Sequence, residues 1–166
     1  RVKDCELNKS KAKKINIIGT QNIVKSILKI KKTKKKDIKL VFISSDAVYA
    51  STRGNYKETD KTSPYNIYGL TKLKGEKIVK KLKNYMIIRT RFFDKKKIPF
   101  KYSAVNIYTS SLEVNKLVKY ISKLIKKKFQ GTFNVGGPKI SDYKNYKKYK
   151  KSLKPCDKSK ILNELN

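Results

Sequence analysis

Leu40-Val-Phe-Ile-Ser-Ser-Asp-Ala-Val-Tyr49 is the stretch on which the fold of this chain turns. Lys39 to Ile43 forms a short, mostly apolar run, the pattern of a strand buried in a parallel sheet. It stops at the polar cluster Ser44-Ser45-Asp46. Ligands of open parallel sheets bind just beyond the carboxyl ends of the strands, so this cluster is a candidate site.

Working outward, a loop rich in Gly, Asn, Thr and Asp runs from Ser51 to Ser63 and closes at Pro64. A helix is expected from about Tyr65 to Leu82, with Leu70, Leu73, Ile78 and Val79 towards the core. Tyr85-Met-Ile-Ile88 reads as a second buried strand, ending at Arg89-Thr90-Arg91. Upstream, Ala12, Ile15, Ile18, Ile23, Ile27 and Ile30 predict one apolar face on a helix over Ser10 to Ile30. Downstream, Ala104 to Tyr108 is an expected strand, and the Ser110–Glu113 spacing is a capping box. The helix after it carries Val114, Leu117, Val118, Ile121 and Ile125 on one face. Thr132 to Val135 is a further strand, stopped by Gly136-Gly137-Pro138, and Ser141 is placed to cap a last helix. Strands alternating with helices predict an α/β fold on a parallel sheet.

The second polar cluster is Tyr68-Gly-Leu-Thr-Lys72. Tyr68 and Lys72 lie one helical turn apart and share a face. A free phenol has a pKa near ~10 and is a poor acid–base group at neutral pH. An ammonium beside it favours the phenolate. With a serine hydroxyl across the cleft, the three groups can protonate a ketone oxygen while hydride reaches its carbon, or run the reverse. The spacing alone is weak evidence in a chain with 11 tyrosines. Two more Y-x-x-x-K pairs occur, Tyr143 with Lys147 and Tyr146 with Lys150.

The formal net charge is +32, which invites a nucleic-acid reading. Only Arg1, Arg53, Arg89 and Arg91 of the 44 basic residues are arginine. Nucleic-acid surfaces favour the arginine fork, so lysine spread over nearly every polar position argues for coding bias and against that role. Lys31 to Lys36 falls where a helix should end and suits its dipole. Two cysteines without a CxxC pair, and no histidine, leave no metal site to expect. No apolar run reaches the length of a membrane span and no signal peptide opens the chain, so the cytoplasm is the expected compartment.

The opening stretch resembles the strand-and-serine motif of extended short-chain dehydrogenases/reductases, the epimerase/dehydratase superfamily, and within it the dTDP-4-dehydrorhamnose reductase group. Tyr56-Lys-Glu58, Ser63-Pro64, Asn66-Ile-Tyr-Gly-Leu-Thr-Lys72 and Gly75-Glu76 are similar to that group's central signature. Ile15-Asn-Ile-Ile-Gly-Thr20, Ile88-Arg-Thr90 and Gly131-Thr-Phe-Asn-Val-Gly-Gly137 resemble further pieces, in the family's order.

The resemblance implies a partial Rossmann-like doubly wound sheet, with residues 1–92 as its catalytic part and 93–166 as a substrate-side portion packed on the same core. It implies NADPH or NADH as cofactor and a 4-keto nucleotide sugar as substrate, and a homodimer is compatible with it. Ser45, Tyr68 and Lys72 would be catalytic. Ser44, Tyr68, Lys72 and Arg89 would touch the cofactor. Ser45, Asp46, Thr90 and Asn134 would touch the substrate. Asn16 lies near the helix position from which related enzymes support the lysine through water. The same Ser–Tyr–Lys set also suits an epimerase or dehydratase, or a non-catalytic regulatory relative.

The seven glycines (19, 54, 69, 75, 131, 136, 137) form no G-x-x-G-x-x-G turn, the device that cradles a dinucleotide pyrophosphate. The chain is therefore expected to be a fragment or a degenerate product that binds NAD(P) poorly by itself. The stretch from Phe93 to Tyr102, where the family commonly grips its substrate, is short and basic.

Overall fold

The computed structural model describes residues 2–163. They divide into two compact units, residues 1–90 with 127–134 and residues 91–126 with 135–166. Residues 127–134 return to the first unit.

In the first unit, α1 (Val2–Leu7) is followed by an almost continuous helical run of α2 (Lys9–Lys13), a π-helical turn (Lys14–Ile18) and α3 (Gly19–Lys34). The Asn8 side chain starts the run by accepting from the Lys11 N–H at 2.8 Å. Lys35 ends it in the left-handed conformation, with φ 50°. The predicted helix is present, but its predicted face is buried only in part, at Ala12 and Ile27. Ala12, Thr20, Val24 and Ile27 are buried, while Ile15, Ile18 and Ile23 are 60%, 49% and 53% exposed. A π turn takes up an extra residue and so rotates the helix beyond it. The face that results carries small and polar groups, and α4 (Ile67–Val79) packs there.

The sheet of this unit has three strands in the order β1 (Leu40–Ile43), β2 (Tyr85–Thr90), β7 (Gly131–Val135). β1 and β2 are parallel, with Leu40 opposite Tyr85 and Ile43 opposite Ile88. Met86, Ile87 and Ile88 are completely buried. The core joins Ile87 to Val24 and Ile27 of α3 and to Val79 and Leu82 at the end of α4, with Ile38, Leu40 and Phe42 packed against it.

The second unit pairs short strands. β3 (Phe92–Phe93) runs parallel to β6 (Leu112–Glu113), and β4 (Tyr102–Ala104) runs parallel to β9 (Lys154–Cys156). β5 (Tyr108–Thr109) is antiparallel to β8 (Ile140–Ser141). The single strand expected over 104–108 is thus two, separated by a bend. α5 (Val114–Lys126) starts beside Glu113, whose Oε2 accepts from the Asn115 N–H at 3.2 Å. Ser110 is not the cap: its carbonyl accepts from the Gly137 N–H at 2.7 Å. Of the predicted α5 face only Leu117 is buried, and Val118 and Ile125 are 54% and 43% exposed. Ser141 caps α6 (Asp142–Lys147) as expected, accepting from the Lys144 N–H at 3.3 Å. α7 (Lys158–Asn163) closes the described chain.

Candidate active site

β1 delivers Ser44 and Ser45 to its carboxyl end, where the Ser44 N–H donates to the Ile88 carbonyl at 2.7 Å. Ser45 then caps a short 3-10 turn over Asp46–Val48, its Oγ accepting from the Ala47 N–H at 3.2 Å. The same hydroxyl donates to Asp46 Oδ1 at 3.2 Å, so its proton can be redirected to a ligand by rotation about one bond.

α4 begins against this turn. Asn66 caps the helix, accepting from the Gly69 N–H at 2.7 Å. A Cβ at Gly69 would stand 2.9 Å from the Ala47 carbonyl carbon and still closer to its oxygen. Only glycine lets the helix come so near. Tyr68, half-buried and next to Gly69, is thereby held beside the Ser45 turn. One turn on, the Lys72 ammonium lies 4.2 Å from the centre of the Phe42 ring, three residues before Ser45. Burial pulls the Lys72 pKa below its ordinary value, and the nearby Glu76 charge opposes that shift. The structure therefore brings the elements bearing Ser45, Tyr68 and Lys72 together.

The π turn supports the same helix. Asn16 Nδ2 donates to Thr71 Oγ1 at 3.0 Å, and Thr71 Oγ1 donates to the Tyr68 carbonyl at 2.9 Å. At position 75 a Cβ would stand 2.7 Å from Phe42 Cζ, so any larger residue there must displace the end of that ring.

Behind these groups lies a buried polar network that sequence reasoning did not find as a unit. Glu76 is 1% exposed and Arg89 5%. Arg89 Nη2 donates to Glu76 Oε2 at 2.7 Å and Nε to Oε1 at 3.0 Å. Ser44 Oγ donates to Glu76 Oε1 at 2.6 Å. Arg89 Nη1 donates to the Tyr49 hydroxyl at 2.8 Å, and that hydroxyl donates to Asn134 Oδ1 at 2.9 Å. Asn134 in turn donates from its backbone N–H to Glu58 Oε1 at 2.7 Å and from Nδ2 to the Tyr56 carbonyl at 2.8 Å. Burial lowers the Arg89 pKa, but the hydrogen bonds and charge of Glu76 outweigh it and hold the guanidinium above its usual range.

Ser44, Arg89 and Asn134 are thus brought together, with one another and with Glu76. The signal available in the sequence was Gly75-Glu76 and Tyr56-Lys-Glu58, whose glutamates turn out to anchor this frame. Thr90 is separate: its Oγ1 is buried and has no hydrogen-bond partner among the described residues.

The other two Y-x-x-x-K pairs are built differently. Lys147 Nζ donates to the carbonyls of Lys151 and Leu153 at 2.7 and 2.8 Å. Lys150 Nζ donates to those of Ile98 and Phe100 at 3.0 and 2.8 Å. Both ammoniums close backbone; Lys147 Nζ also lies 5.8 Å from the centre of the Tyr143 ring, and at Tyr146 burial raises the pKa while the Arg91 charge opposes it. Among the described residues no group of acidic, Cys or His side chains could hold a metal, and no helix is long and apolar enough to cross a membrane.

The sequence model of the family described as the RmlD substrate binding domain matches residues 1–117. The chain belongs to that family. This RmlD-type chain is similar to a crystal structure titled hypothetical dTDP-4-dehydrorhamnose reductase from Sulfolobus tokodaii, at 32% identity and TM-score 0.76, covering 95% of this chain and 61% of that one. It is also similar to dTDP-4-dehydrorhamnose reductase from Bacillus anthracis in complex with NADP, at 27% identity and TM-score 0.78, covering 96% and 63%. Among curated proteins, 40 residues are 55% identical to methionine adenosyltransferase 2 subunit beta of Rattus norvegicus, 24% of this chain and 12% of that protein. The Xenopus tropicalis protein of the same name matches over 65 residues at 32%, 39% of this chain and 18% of it. The RmlD-type chain thus spans about three fifths of the solved relatives and less than a fifth of the curated ones.

Proposed function

We propose that this chain carries the acid–base half of an NAD(P)-dependent reductase acting on a 4-keto nucleotide sugar. The observation that supports the reading is the seating of Gly69 against Ala47, which packs the helix bearing Tyr68 and Lys72 on the turn that Ser45 caps.

A bound nicotinamide cofactor would supply the hydride to the carbonyl carbon. The fit to it is partial. Lys72, a half-buried cation one turn from Tyr68, suits the ribose hydroxyls, and the orphaned Thr90 Oγ1 is available to a ligand. No glycine-rich turn for the pyrophosphate occurs in the sequence.

Tyr68 gives its phenolic proton to the ketone oxygen as negative charge develops there, and the Lys72 ammonium stabilises the phenolate left behind. Ser45 turns its proton from Asp46 to the same oxygen and polarises the carbonyl. Asp46 is assigned to the substrate side. Ser44, Arg89 and Asn134 are assigned to the frame, because Glu76, Tyr49 and Glu58 engage their polar atoms. Chemistry of this kind suits the cytoplasm.

Tyr68→Phe in the full-length protein should abolish NADPH-dependent reduction of a dTDP-4-keto-6-deoxy sugar and leave cofactor binding intact. Retention of most activity would remove Tyr68 from the mechanism. The 166-residue polypeptide by itself should bind NADPH more weakly than micromolar, and micromolar affinity with turnover would overturn the need for a separate pyrophosphate site.

A second reading rests on the 55% identity over 40 residues to a methionine adenosyltransferase subunit, higher than that to either reductase. It makes the chain a non-catalytic subunit of a larger assembly. A wild-type full-length protein that binds the cofactor and oxidises none with any 4-keto sugar nucleotide would favour it.

A further inference from the structure

We propose that Thr71 is a positioning residue for the Tyr68–Lys72 pair, its hydroxyl tying the π turn of the neighbouring helix to the backbone of Tyr68. The inference deepens the reductase reading and rests on it only for its consequence in turnover.

Thr71 stands on α4 between Tyr68 and Lys72 and is 1% exposed. A hydroxyl so buried needs a partner for its proton, and the Tyr68 carbonyl, three residues back, accepts it at 2.9 Å. That bond alone would be ordinary, because threonine often bonds back to the preceding turn. The second bond is not local. Asn16 Nδ2, 55 residues away in sequence, donates to the same hydroxyl oxygen at 3.0 Å. An amide nitrogen only donates, so the single proton of Thr71 must go to the Tyr68 carbonyl. The chain from amide to hydroxyl to carbonyl therefore has one direction.

The Tyr68 carbonyl is the one that closes the helical turn to the Lys72 N–H. A side-chain hydroxyl on that oxygen competes with the helix bond and tilts the peptide, as such bonds do where they bend helices. Thr71 thus acts on the turn whose two ends carry the phenol and the ammonium, without touching substrate. The π turn is what lets Asn16 meet it. One extra residue within Lys14–Ile18 rotates the helix by about 100° relative to an uninterrupted α-helix. Asn16 is anchored in its own helix as well, its carbonyl accepting from Thr20 Oγ1 at 2.7 Å. A Cβ on Gly75 would stand 3.5 Å from that carbonyl, so α4 and the π turn are in contact one turn beyond Thr71. None of these contacts of Asn16 goes to Lys72. Valine has the shape of threonine and could make neither bond, so packing alone does not ask for the hydroxyl.

The test reads the placement of the Tyr68 ring through the NMR signal of isotope-labelled tyrosine Cζ, assigned by its loss in Tyr68→Phe. Thr71→Val, with its fold checked by circular dichroism, should displace that signal while those of Tyr143 and Tyr146 stay in place. Asn16→Leu should displace it the same way, and the double variant no further than Thr71→Val alone, because both changes break one chain. Asn16→Leu, at a half-buried position, makes the same test if the valine variant does not fold. Thr71→Ser, which keeps the hydroxyl, should restore the parental signal. In the full-length protein Thr71→Val should lower kcat about tenfold with KM unchanged, less than the ~10²–10⁴ expected from losing a general acid outright. Thr71→Ser should recover that rate. A folded Thr71→Val with the Tyr68 signal unmoved, or an equal displacement in Thr71→Ser, would overturn the proposal and leave Thr71 a packing residue. The NMR readout needs no turnover, so failure of the reductase reading would not by itself change it. An active, Tyr68-dependent enzyme with undiminished kcat in Thr71→Val would sink this inference alone.

Discussion

Gly69 sits so close to the Ala47 carbonyl that no side chain fits between α4 and the turn after β1. Gly69→Ala must push the helix off that turn, because the obstructing atoms are backbone and cannot rotate aside. Overpacking of this kind costs about 1–3 kcal/mol. The chain should unfold at lower denaturant concentration, and turnover of the full-length protein should fall further than stability does, since Tyr68 moves with the helix. A variant of parental stability would show that the contact is looser than the geometry states.

The three Y-x-x-x-K pairs make an internal control. Tyr68→Phe should eliminate reductase turnover, while Tyr143→Phe and Tyr146→Phe should keep it within a few-fold. Lys147 and Lys150 donate to backbone carbonyls, so both ammoniums are already committed to holding the fold. Steady-state rates of the three variants decide it.

The buried and exposed arginine pairs should part company in stability. Arg89→Met strands the Glu76 carboxylate in the interior and should cost about 3–5 kcal/mol in a urea titration. Arg53 pairs with Asp60 at 2.8 Å, but its side chain is 57% exposed. Arg53→Met should change stability far less. Equal losses would deny that the Glu76–Arg89 pair is desolvated.

Asp142 carries a pH signature. Burial raises its pKa above the ordinary carboxylate value, and the Arg91 charge only partly opposes this. The folded state therefore binds this proton more tightly than the unfolded state does. Asp142 favours folding most at low pH, and its contribution declines as pH rises from the unfolded carboxylate pKa through the raised folded one. Asp142→Asn should flatten that decline in thermal melts taken across the acidic range. A parallel pH profile in the variant would assign the effect elsewhere.

The strands were legible because a parallel strand facing the core carries an unbroken apolar run, and Leu40–Ile43 and Tyr85–Ile88 have one. Only the second is buried: Leu40–Phe42 are half-buried and Ile43 is exposed. The site was legible in part, because the motif pieces around Ser45, Tyr68 and Lys72 occur together in order. The buried face of α3 was not. Ile15, Ile18 and Ile23 carry the hydrophobic period, yet a π turn rotates Thr20 and Val24 inward and leaves those isoleucines exposed. The face of a helix that is covered depends on its neighbour, and α4 approaches through Gly69, Thr71 and Gly75, which no periodicity marks.

The amino-acid sequence by itself determined the order of strands and helices and the one-turn spacing of phenol and ammonium, because local periodicity dictates both. Tertiary structure alone decided which of three similar tyrosine–lysine pairs lies on a helix packed against the turn after β1, and that Glu76 and Arg89, 13 residues apart, share one buried charge network. Local pattern sets what a segment can form. Only packing sets which polar groups lose their water, and a charge acts strongly on its neighbour only where water has been excluded.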